Sequence, residues 1–247
     1  MKSKLMNEKE FQIRNHRFIK KMGSDKKFKK ITNSWIVESV KHEYSYHFRW
    51  FGIPIIQYPQ DMIAYQEIIW QTKPDLIIET GIARGGSLIF SASLLEIIGR
   101  GQVLGIDIDI HKENRIAVEK HPLSKRIHML EGSSISNEIV NSVRRIASKK
   151  KRILVVLDSN HTHEHVLNEL RLYSPLVSRG SYIVVFDSII GDLPNYLHKN
   201  RPWNKKNNPK TAIFQFLKEN NRFIIDDGVV NKLAITVSPY GYLKCIG

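Results

Sequence analysis

Residues 75–87, DLIIETGIARGGS, constrain the fold of this chain more than any other segment. The apolar run at residues 76–78 is too short for an independent helix and rich in isoleucine, which favours a buried strand. Three glycines follow at residues 81–86, and apolar residues recur at helical spacing from Leu88 onward. The pattern predicts a strand, a glycine-rich turn and a helix. The free backbone amides at that helix N-terminus favour a charged ligand close to the turn.

The spacing of this turn argues against two common nucleotide sites. A P-loop requires GxxxxGK[ST], and no lysine follows the glycines here; the GxGxxG fingerprint of dinucleotide-binding folds is also absent. Glu79 instead lies at the end of the strand, directly ahead of the turn. A carboxylate there repels phosphate but suits a cation, such as the sulfonium and α-ammonium groups of S-adenosylmethionine. A turn with only a structural role is the alternative.

Short apolar runs continue to alternate with helical patterns after this unit. In chain order, the runs are QVLGIDIDI, RIHMLEGSSIS, ILVVL and GSYIVVFDSII. Strands that alternate with helices form parallel βαβ units, and the carboxyl ends of such strands meet at one edge of the sheet. The chain is therefore predicted to be an α/β protein whose functional side chains gather at that edge.

Polar side chains at the ends of the second and third strands are candidates for nucleoside contacts. Asp107 lies where a carboxylate commonly accepts hydrogen bonds from the two hydroxyls of a ribose. Asp109 either belongs to the same site or caps the helix that begins near His111. Ser133, together with Ser134, either borders an adenine or caps the helix that follows. The residues leave both pairs of alternatives open.

The fourth and fifth strands also end in carboxylates. Asp158 follows ILVVL and Asp187 follows IVVF, so both are expected beside the glycine turn. Two carboxylates in that position can hold a hard divalent cation such as Mg²⁺. His161, three residues after Asp158, can accept a proton from a substrate hydroxyl. His163 and His165 are interpreted as surface or packing residues at the start of a helix.

Two segments outside the predicted strands are candidates for covering this edge of the sheet. Residues 31–61 mix prolines with aromatic and polar side chains, namely His47, Arg49, Trp50, Tyr58 and Asp61. This segment either covers the site or docks on the edge of the sheet. Residues 188–210 are too long for a simple connection and are predicted to form a functional loop. Its candidate substrate contacts are Asp192, Trp203 and Asn204.

The composition indicates one globular domain with a basic extension. Hydrophobic residues make up 42% of the 247 residues, which is enough for a large core. The formal net charge is +14, with lysines crowded at residues 20–30 and 149–151. We interpret them as solvated faces, because no RNP-like, zinc-binding or arginine-rich pattern supports nucleic-acid binding. We predict a basic helical extension at residues 1–45 and a single domain at residues 46–247.

Cysteine content and hydropathy indicate the compartment. Cys245 is the single cysteine, so a disulfide framework is excluded and a reducing environment is expected. No apolar run reaches membrane-spanning length, and the first residues lack the apolar core of a signal peptide. The expectation is a soluble, cytoplasmic protein.

Several of these segments together resemble the cephalosporin hydroxylase family of S-adenosylmethionine-dependent methyltransferase-like proteins, which is similar to the macrolide-sugar and rhamnosyl O-methyltransferases. The matching segments are WFGIPIIQYPQD, KPDLIIETGIARGGS, GIDIDI, LEGSS, LDSNHTHEHVLNEL, YSPLVSRGSYIVVFD and the tail from NPKTAIF. They run in unbroken order from about residue 46 to the C-terminus. The resemblance implies a Rossmann-like class I methyltransferase fold, with a mostly parallel seven-stranded sheet and helices on both faces.

The resemblance also implies roles for the residues at the strand ends. The predicted cofactor-binding residues are Glu79, Gly81, Arg84, Gly85, Ser87, Asp107, Asp109, Ser133 and Asp158. In the relatives an aspartate after the fourth strand and a Glu-Asp pair after the fifth hold a metal; Asp158 and Asp187 match the aspartates, whereas Phe186 replaces the glutamate. Without this glutamate, Mg²⁺ is expected to bind more weakly, to take water as an additional ligand, or not to bind. His161 matches the proposed base.

The sequence thus predicts an S-adenosylmethionine-dependent O-methyltransferase that acts on a hydroxyl of a sugar or another polar metabolite. Asp158 and His161 are the predicted catalytic residues. We expect a small-molecule or glycan acceptor and a homo-oligomer. One alternative is a catalytically weak protein of the same fold that binds an anionic glycan or nucleic acid. A component of a hydroxylation system is another, although the sequence shows no convincing facial triad for iron.

Overall fold

The computed structural model describes residues 6–247, and most of its strands belong to one sheet. The strands are β1 (Phe48–Trp50), β2 (Ile53–Ile55), β3 (Leu76–Thr80), β4 (Gln102–Asp107), β5 (Ile127–Glu131), β6 (Ile153–Leu157), β7 (Tyr182–Val185), β8 (Phe223–Ile225) and β9 (Tyr242–Cys245). The helices are α1 (Glu8–Ser24), α2 (Lys26–Lys41), α3 (Pro59–Thr72), α4 (Gly86–Ile98), α5 (Lys112–Glu119), α6 (Asn137–Ala147), α7 (His163–Tyr173), α8 (Pro209–Glu219) and α9 (Asp227–Leu233).

The main sheet has seven strands in the order β5-β4-β3-β6-β7-β9-β8. Strands β3 to β7 pair in parallel, whereas β9 is antiparallel to both β7 and β8. The separate hairpin of β1 and β2 is antiparallel. The predicted mostly parallel, seven-stranded sheet is confirmed. Because β3 lies between β4 and β6, the glycine turn that follows β3 is at the centre of the functional edge.

Helices cover both faces of the sheet, as predicted. Leu76 and Ile78 of β3 pack against one hydrophobic cluster, which includes side chains of α6, α7 and α8. Ile77, between them, points to the opposite face and joins a second cluster with α3 and α4. Alternate residues of a strand point to opposite faces, so an uninterrupted apolar strand requires cover on both sides. The core therefore holds the strand ends, and their polar side chains, in fixed positions.

The basic N-terminal segment is helical in the residues that the structure describes. Asn7 and Glu10 form a capping box at the start of α1. Asp25 ends α1 and caps α2, because its side chain accepts a hydrogen bond from the amide of Phe28 at 2.9 Å. Ile36 of α2 is buried in a third hydrophobic cluster. This packing fixes α2 beside the functional edge of the sheet.

The last part of the chain contains a helix between its two strands. β8 and β9 are present, but α9 lies between them. The side chain of Asp226 accepts hydrogen bonds from the amides of Gly228 and Val229, and this local cap starts the helix despite the β-branched residues inside it. α7 begins at His163 and ends at Tyr173, two residues before Pro175.

Within residues 6–247, none of the helices combines the length and the apolar content needed to cross a membrane. The division of the chain at residues 45 and 46 and the homo-oligomer both stay predictions. Residues 1–5 of the predicted basic extension lie outside the described part of the chain.

Candidate active site

The glycine turn after β3 requires at least two of its glycines. Gly81 has φ +91° and Gly85 has φ +87°, a region that residues with a side chain rarely adopt. A Cβ on Gly81 would lie 2.1 Å from the backbone oxygen of Asp158. The ends of β3 and β6 therefore approach closely only because residue 81 lacks a side chain. This approach places Asp158 directly beside the turn.

Glu79 is buried at the end of β3 and faces this turn. It is 1% exposed, and the hydroxyl of Ser87 donates a hydrogen bond to its Oε1. Oε2 has no hydrogen-bond partner among the described residues. Burial raises the pKa of Glu79 to about 7, and the bond from Ser87 opposes this rise. A buried carboxylate oxygen without a hydrogen-bond partner can accept a bond from a cationic donor group of a ligand.

We predict that the stability of the ligand-free protein falls as pH rises from about 4.5 to 7. Because the pKa of Glu79 is about 7 in the folded protein and 4.5 ordinarily, the folded chain keeps a proton that the unfolded chain has lost. The contribution is roughly 3 kcal/mol across that range. Glu79→Gln keeps an acceptor for Ser87 and removes this contribution, which urea unfolding at several pH values measures. An equally steep pH dependence in Glu79→Gln and in the surface control Glu138→Gln would contradict the assignment.

Asp107 has a structural role that the sequence did not show. Its Oδ2 accepts hydrogen bonds from the amides of Ile82 at 2.7 Å and Ala83 at 3.2 Å. The carboxylate therefore holds the glycine turn in place, while Oδ1 accepts a longer hydrogen bond from the amide of Asp109 at 3.4 Å. The neighbouring Asp109 is exposed and does not cap α5, whose N-cap is His111 without a side-chain bond.

The remaining candidate cofactor residues lie around the same turn. Arg84 and Ser87 line a small cavity of about 30 Å³ together with Gly81 and Asp158. Ser133 follows β5 and is half-buried. The capping alternative for Ser133 is not observed, because Ser136 is the N-cap of α6. The structure thus brings the turn residues and Asp158 together.

Asp158, His161 and Asp187 form a cluster at the ends of β6 and β7. Each offers one potential ligand atom, and these three atoms lie within 4.8 Å of one another. His161 Nε2 is 3.1 Å from Asp187 Oδ2. Asp187 has φ +57°, a conformation that aspartate tolerates better than most residues and that is common at functional sites. The convergence predicted for these three side chains is confirmed.

The pKa of Asp158 is raised well above its ordinary range. Burial is the main cause, and the negative charges of Asp187, Glu79 and Glu169 add to it. Gln57 opposes the rise, since its Nε2 donates a hydrogen bond to Asp158 Oδ2 at 2.9 Å. A cation placed in this cluster would favour the ionised carboxylate. The electrostatics therefore favour a positively charged ligand or metal beside Asp158.

A cavity of about 600 Å³ opens from this cluster. Its wall includes Gln57, Tyr58, Asp158, His161 and Asp187. Side chains of α2 and of the loop at residues 188–207 complete it, namely Ile36, Val40, Leu197, His198, Arg201 and Trp203. Aromatic side chains mixed with carboxylates and an arginine suit a polar ring-shaped ligand.

The loop at residues 188–210 reaches the cluster through Trp203. The indole stands edge-to-face against the imidazole of His161, with ring centroids 4.8 Å apart. Trp203 therefore lies at the cluster, and its contact with a substrate stays a prediction. Asp192 instead pairs with Lys210 at 2.5 Å, and Asn204 forms hydrogen bonds within the loop. Neither of these two side chains is part of the cavity wall described above.

A family model for rhamnosyl O-methyltransferase/CmcI matches residues 42–246. The chain belongs to this family. The rhamnosyl O-methyltransferase of Mycobacterium leprae (strain TN) is 35% identical over 147 residues, which cover 59% of this chain and 62% of that protein. The enzyme of Mycobacterium tuberculosis (strain ATCC 25618 / H37Rv) is also 35% identical over 147 residues, 59% of this chain and 58% of its own length. The chain thus matches about three-fifths of the length of these relatives.

Two solved structures share the fold described here. CmcI with Mg and SAM is 19% identical, and the alignment covers 82% of this chain and 78% of that one with a TM-score of 0.58. A putative O-methyltransferase from Klebsiella pneumoniae is 15% identical, with a TM-score of 0.54 over 87% of this chain and 90% of that one. The class I methyltransferase fold implied by the resemblance is confirmed.

This member of the family lacks a carboxylate at residue 186. Phe186 is 4% exposed and packs in the hydrophobic cluster beside Tyr65, with ring centroids 6.5 Å apart. Its side chain therefore belongs to the core, and the described donors of the cluster are two carboxylates and one imidazole. This set still fits a divalent cation, because carboxylate oxygens and imidazole nitrogen are common ligands of such ions.

Sequence analysis missed a second buried polar group next to the cluster. Glu169 of α7 is fully buried, and its Oε1 accepts hydrogen bonds from Ser134 at 2.6 Å and Ser159 at 2.8 Å. Ser134 follows β5 and Ser159 follows β6, so Glu169 ties two strand ends together. The helical spacing of His165 and Glu169 was the available signal. His163 packs between Thr211 and Gln215, in agreement with its packing interpretation.

Proposed function

We propose that this protein is an S-adenosylmethionine-dependent O-methyltransferase whose acceptor is a hydroxyl of a sugar or a similar polar metabolite. The observation that carries the proposal is the position of His161. His161 lines the partly aromatic cavity of about 600 Å³ next to the glycine turn. Its Nε2 is 3.1 Å from Oδ2 of Asp187. Family membership and the rhamnosyl O-methyltransferase names of the relatives support the same reaction and a sugar acceptor.

The glycine turn and the ends of β4 and β5 would bind the cofactor, which supplies an electrophilic methyl group when bound. The proposed binding residues are Glu79, Gly81, Arg84, Gly85, Ser87, Asp107, Asp109, Ser133 and Asp158. Glu79 and Asp158 would face the cationic methionine end, since both are buried acids with raised pKa values. Oδ1 of Asp107 would accept from the ribose, while its Oδ2 keeps the turn in place.

His161 would remove the proton from the acceptor hydroxyl. If Nε2–H donates to Asp187, as their 3.1 Å separation allows, Nδ1 is unprotonated and can accept that proton. Asp187 then stabilises the imidazolium that forms. The acceptor oxygen forms its new bond to the methyl carbon as the carbon–sulfur bond breaks. Trp203 packs edge-to-face against the imidazole ring and limits its rotation.

Asp158 and Asp187 would hold a divalent cation through their carboxylate oxygens, and His161 beside them would keep its free nitrogen for the acceptor proton. A bound cation would lower the pKa of a coordinated hydroxyl and orient it. Without the glutamate that Phe186 replaces, we expect water to complete the coordination and the affinity for Mg²⁺ to be modest.

We predict that Asp187→Asn weakens the binding of Mn²⁺, used here as the probe cation, by about tenfold or more. One negative ligand is lost from a cluster that is otherwise unchanged. Asp192→Asn is the matched control, because it removes a carboxylate of the same loop that pairs with Lys210 instead. Calorimetric titration of the three proteins measures the difference. Equal affinities in all three would place the cation elsewhere.

Transfer of a labelled methyl group tests the proposed function directly. The purified protein is incubated with methyl-labelled S-adenosylmethionine and a panel of sugars and sugar glycosides, with and without divalent cation. The expected product is a sugar methyl ether whose formation requires His161. If the protein binds the cofactor but methylates none of these sugars, the result supports the proposed cofactor site. It contradicts the proposal that the acceptor is a sugar.

A further inference from the structure

Both N-terminal helices carry exposed apolar side chains, and α2 also buries one of its sides, whereas α1 has no buried residue. On α1, Phe11 and Phe18 are each 48% exposed, and their spacing of seven residues places them on one face. On α2, Ile31 is 57% exposed and Trp35 37% exposed, four residues apart on one face. Exposed large apolar side chains at helical spacing indicate a surface that meets a partner.

The same helices are strongly basic. Between residues 8 and 41 there are ten lysines and arginines and four carboxylates. Among the residues that the structure describes, Lys41 is the one of these ten cations that forms an ion pair, with Glu38. The other cations are therefore available to an anionic partner.

Cations and apolar side chains alternate on this surface. The guanidinium groups of Arg14 and Arg17 lie over the ring of Phe18, at 5.5 and 5.4 Å from its centroid. On α2, a shallow open depression is lined by three lysines and four other residues, namely Lys26, Lys29, Lys30, Asn33, Ser34, Val37 and Glu38, whose carboxylate pairs with Lys41. The lysines, Asn33 and Ser34 can donate hydrogen bonds to phosphate groups.

The buried side of α2 forms part of the acceptor cavity. Ile36 and Val40 line that cavity, and Ile31 is exposed to solvent on the same helix. Trp35 is 37% exposed and also packs edge-to-face against Tyr44 and Tyr58 of the cavity wall. A partner that bound Trp35 would thus lie close to the acceptor cavity.

We propose that α1 and α2 form an interfacial binding surface for an anionic lipid membrane, which brings the acceptor cavity close to membrane-bound acceptors. Basic side chains attract the anionic headgroups, and Phe11, Phe18, Ile31 and Trp35 enter the boundary between headgroups and acyl chains. A second copy of the chain fits this surface less well, because two such basic segments repel each other. Nucleic acid would use the cations but not the aliphatic side chains.

Vesicle sedimentation tests this surface and does not depend on the methyltransferase activity. The full chain is mixed with vesicles of phosphatidylcholine alone, or with about one-third phosphatidylglycerol. The bound fraction is expected to be about tenfold higher with the anionic lipid than with phosphatidylcholine alone, and to fall in high salt. The double variant Phe11→Ser/Phe18→Ser is expected to lose about tenfold in affinity. Ile97→Ser is the matched control, since Ile97 is 72% exposed on α4.

Three results would overturn the proposal. The first is sedimentation that does not depend on anionic lipid, and the second is equal loss in Ile97→Ser and in the double variant. The third is a dimer in light scattering that Phe11→Ser/Phe18→Ser dissociates, because the surface would then bind a second copy. An unchanged urea unfolding transition of the double variant shows that it is folded, so a loss of vesicle binding is not a loss of the domain.

Discussion

His161→Gln is expected to lower kcat for methyl transfer by about 100- to 10,000-fold, the usual contribution of a general base. The change removes the nitrogen that accepts the proton but keeps a side chain of similar size between Asp187 and Trp203. The affinity for S-adenosylmethionine is expected to stay within about twofold, since His161 is not part of the small cavity at the glycine turn. Steady-state kinetics and calorimetric titration of the same preparations measure the two quantities.

His111→Gln is the matched control for this variant. His111 is exposed at the start of α5 and its side chain makes no capping bond, so its replacement is expected to leave both quantities unchanged. A His161→Gln protein with near-normal kcat would show that another group accepts the proton. Parallel loss of kcat and of cofactor affinity would show that His161 acts by supporting the cofactor site.

Gly81→Ala is expected to cost roughly 3 kcal/mol or more of the free energy of unfolding and to abolish detectable cofactor binding. Two effects combine at this residue. The backbone at φ +91° disfavours any Cβ, and the added methyl carbon would lie 2.1 Å from the backbone oxygen of Asp158. The ends of β3 and β6 would have to separate, which displaces Asp158. Urea unfolding and calorimetry measure the two effects.

Gly99→Ala separates the two causes. Gly99 also has a left-handed backbone, φ +83°, but an added Cβ there meets no atom within 4 Å. Its replacement is expected to cost only about 1 kcal/mol and to leave cofactor binding intact. If the two alanine variants were equally stable and both bound the cofactor, the close approach of the strand ends would not be the reason for glycine at residue 81.

The sequence predicted the parts of the site that lie directly at strand ends. Isoleucine-rich runs mark buried parallel strands, and the residue after each run is then placed at the same edge by topology alone. Asp158 and Asp187 are far apart in the chain, yet this rule brought them together correctly. His161 followed from its spacing to Asp158. These inferences need the order of the elements but no knowledge of side-chain packing.

The sequence could not reveal contacts that depend on packing between distant segments. Gln57 precedes α3 and binds Asp158, about one hundred residues later in the chain. Glu169 reads as an ordinary helix carboxylate until Ser134 and Ser159 are seen to donate to it. α9 depends on a single cap at Asp226, which outweighs the strand preference of the valines that follow.

Residue 186, where the resemblance implies a glutamate, is a core phenylalanine in this chain. Phe186 fills the space beside Tyr65 on the face of the sheet covered by α3 and α4. The hydrophobic side chain stabilises that face, and the cluster keeps Asp158, His161 and Asp187 as its donors. We therefore expect metal dependence to be weaker here than in a family member that has the full acidic pair.

Calorimetric titration with S-adenosylmethionine tests the central claim most directly. The account predicts binding by the unchanged protein, loss of binding in Asp107→Ala, and unchanged binding in the surface control Glu113→Ala. Asp107 holds the turn through the amides of Ile82 and Ala83, so its loss removes both the turn geometry and the proposed ribose contact. No binding by the unchanged protein, with or without a divalent cation, would contradict the methyltransferase function.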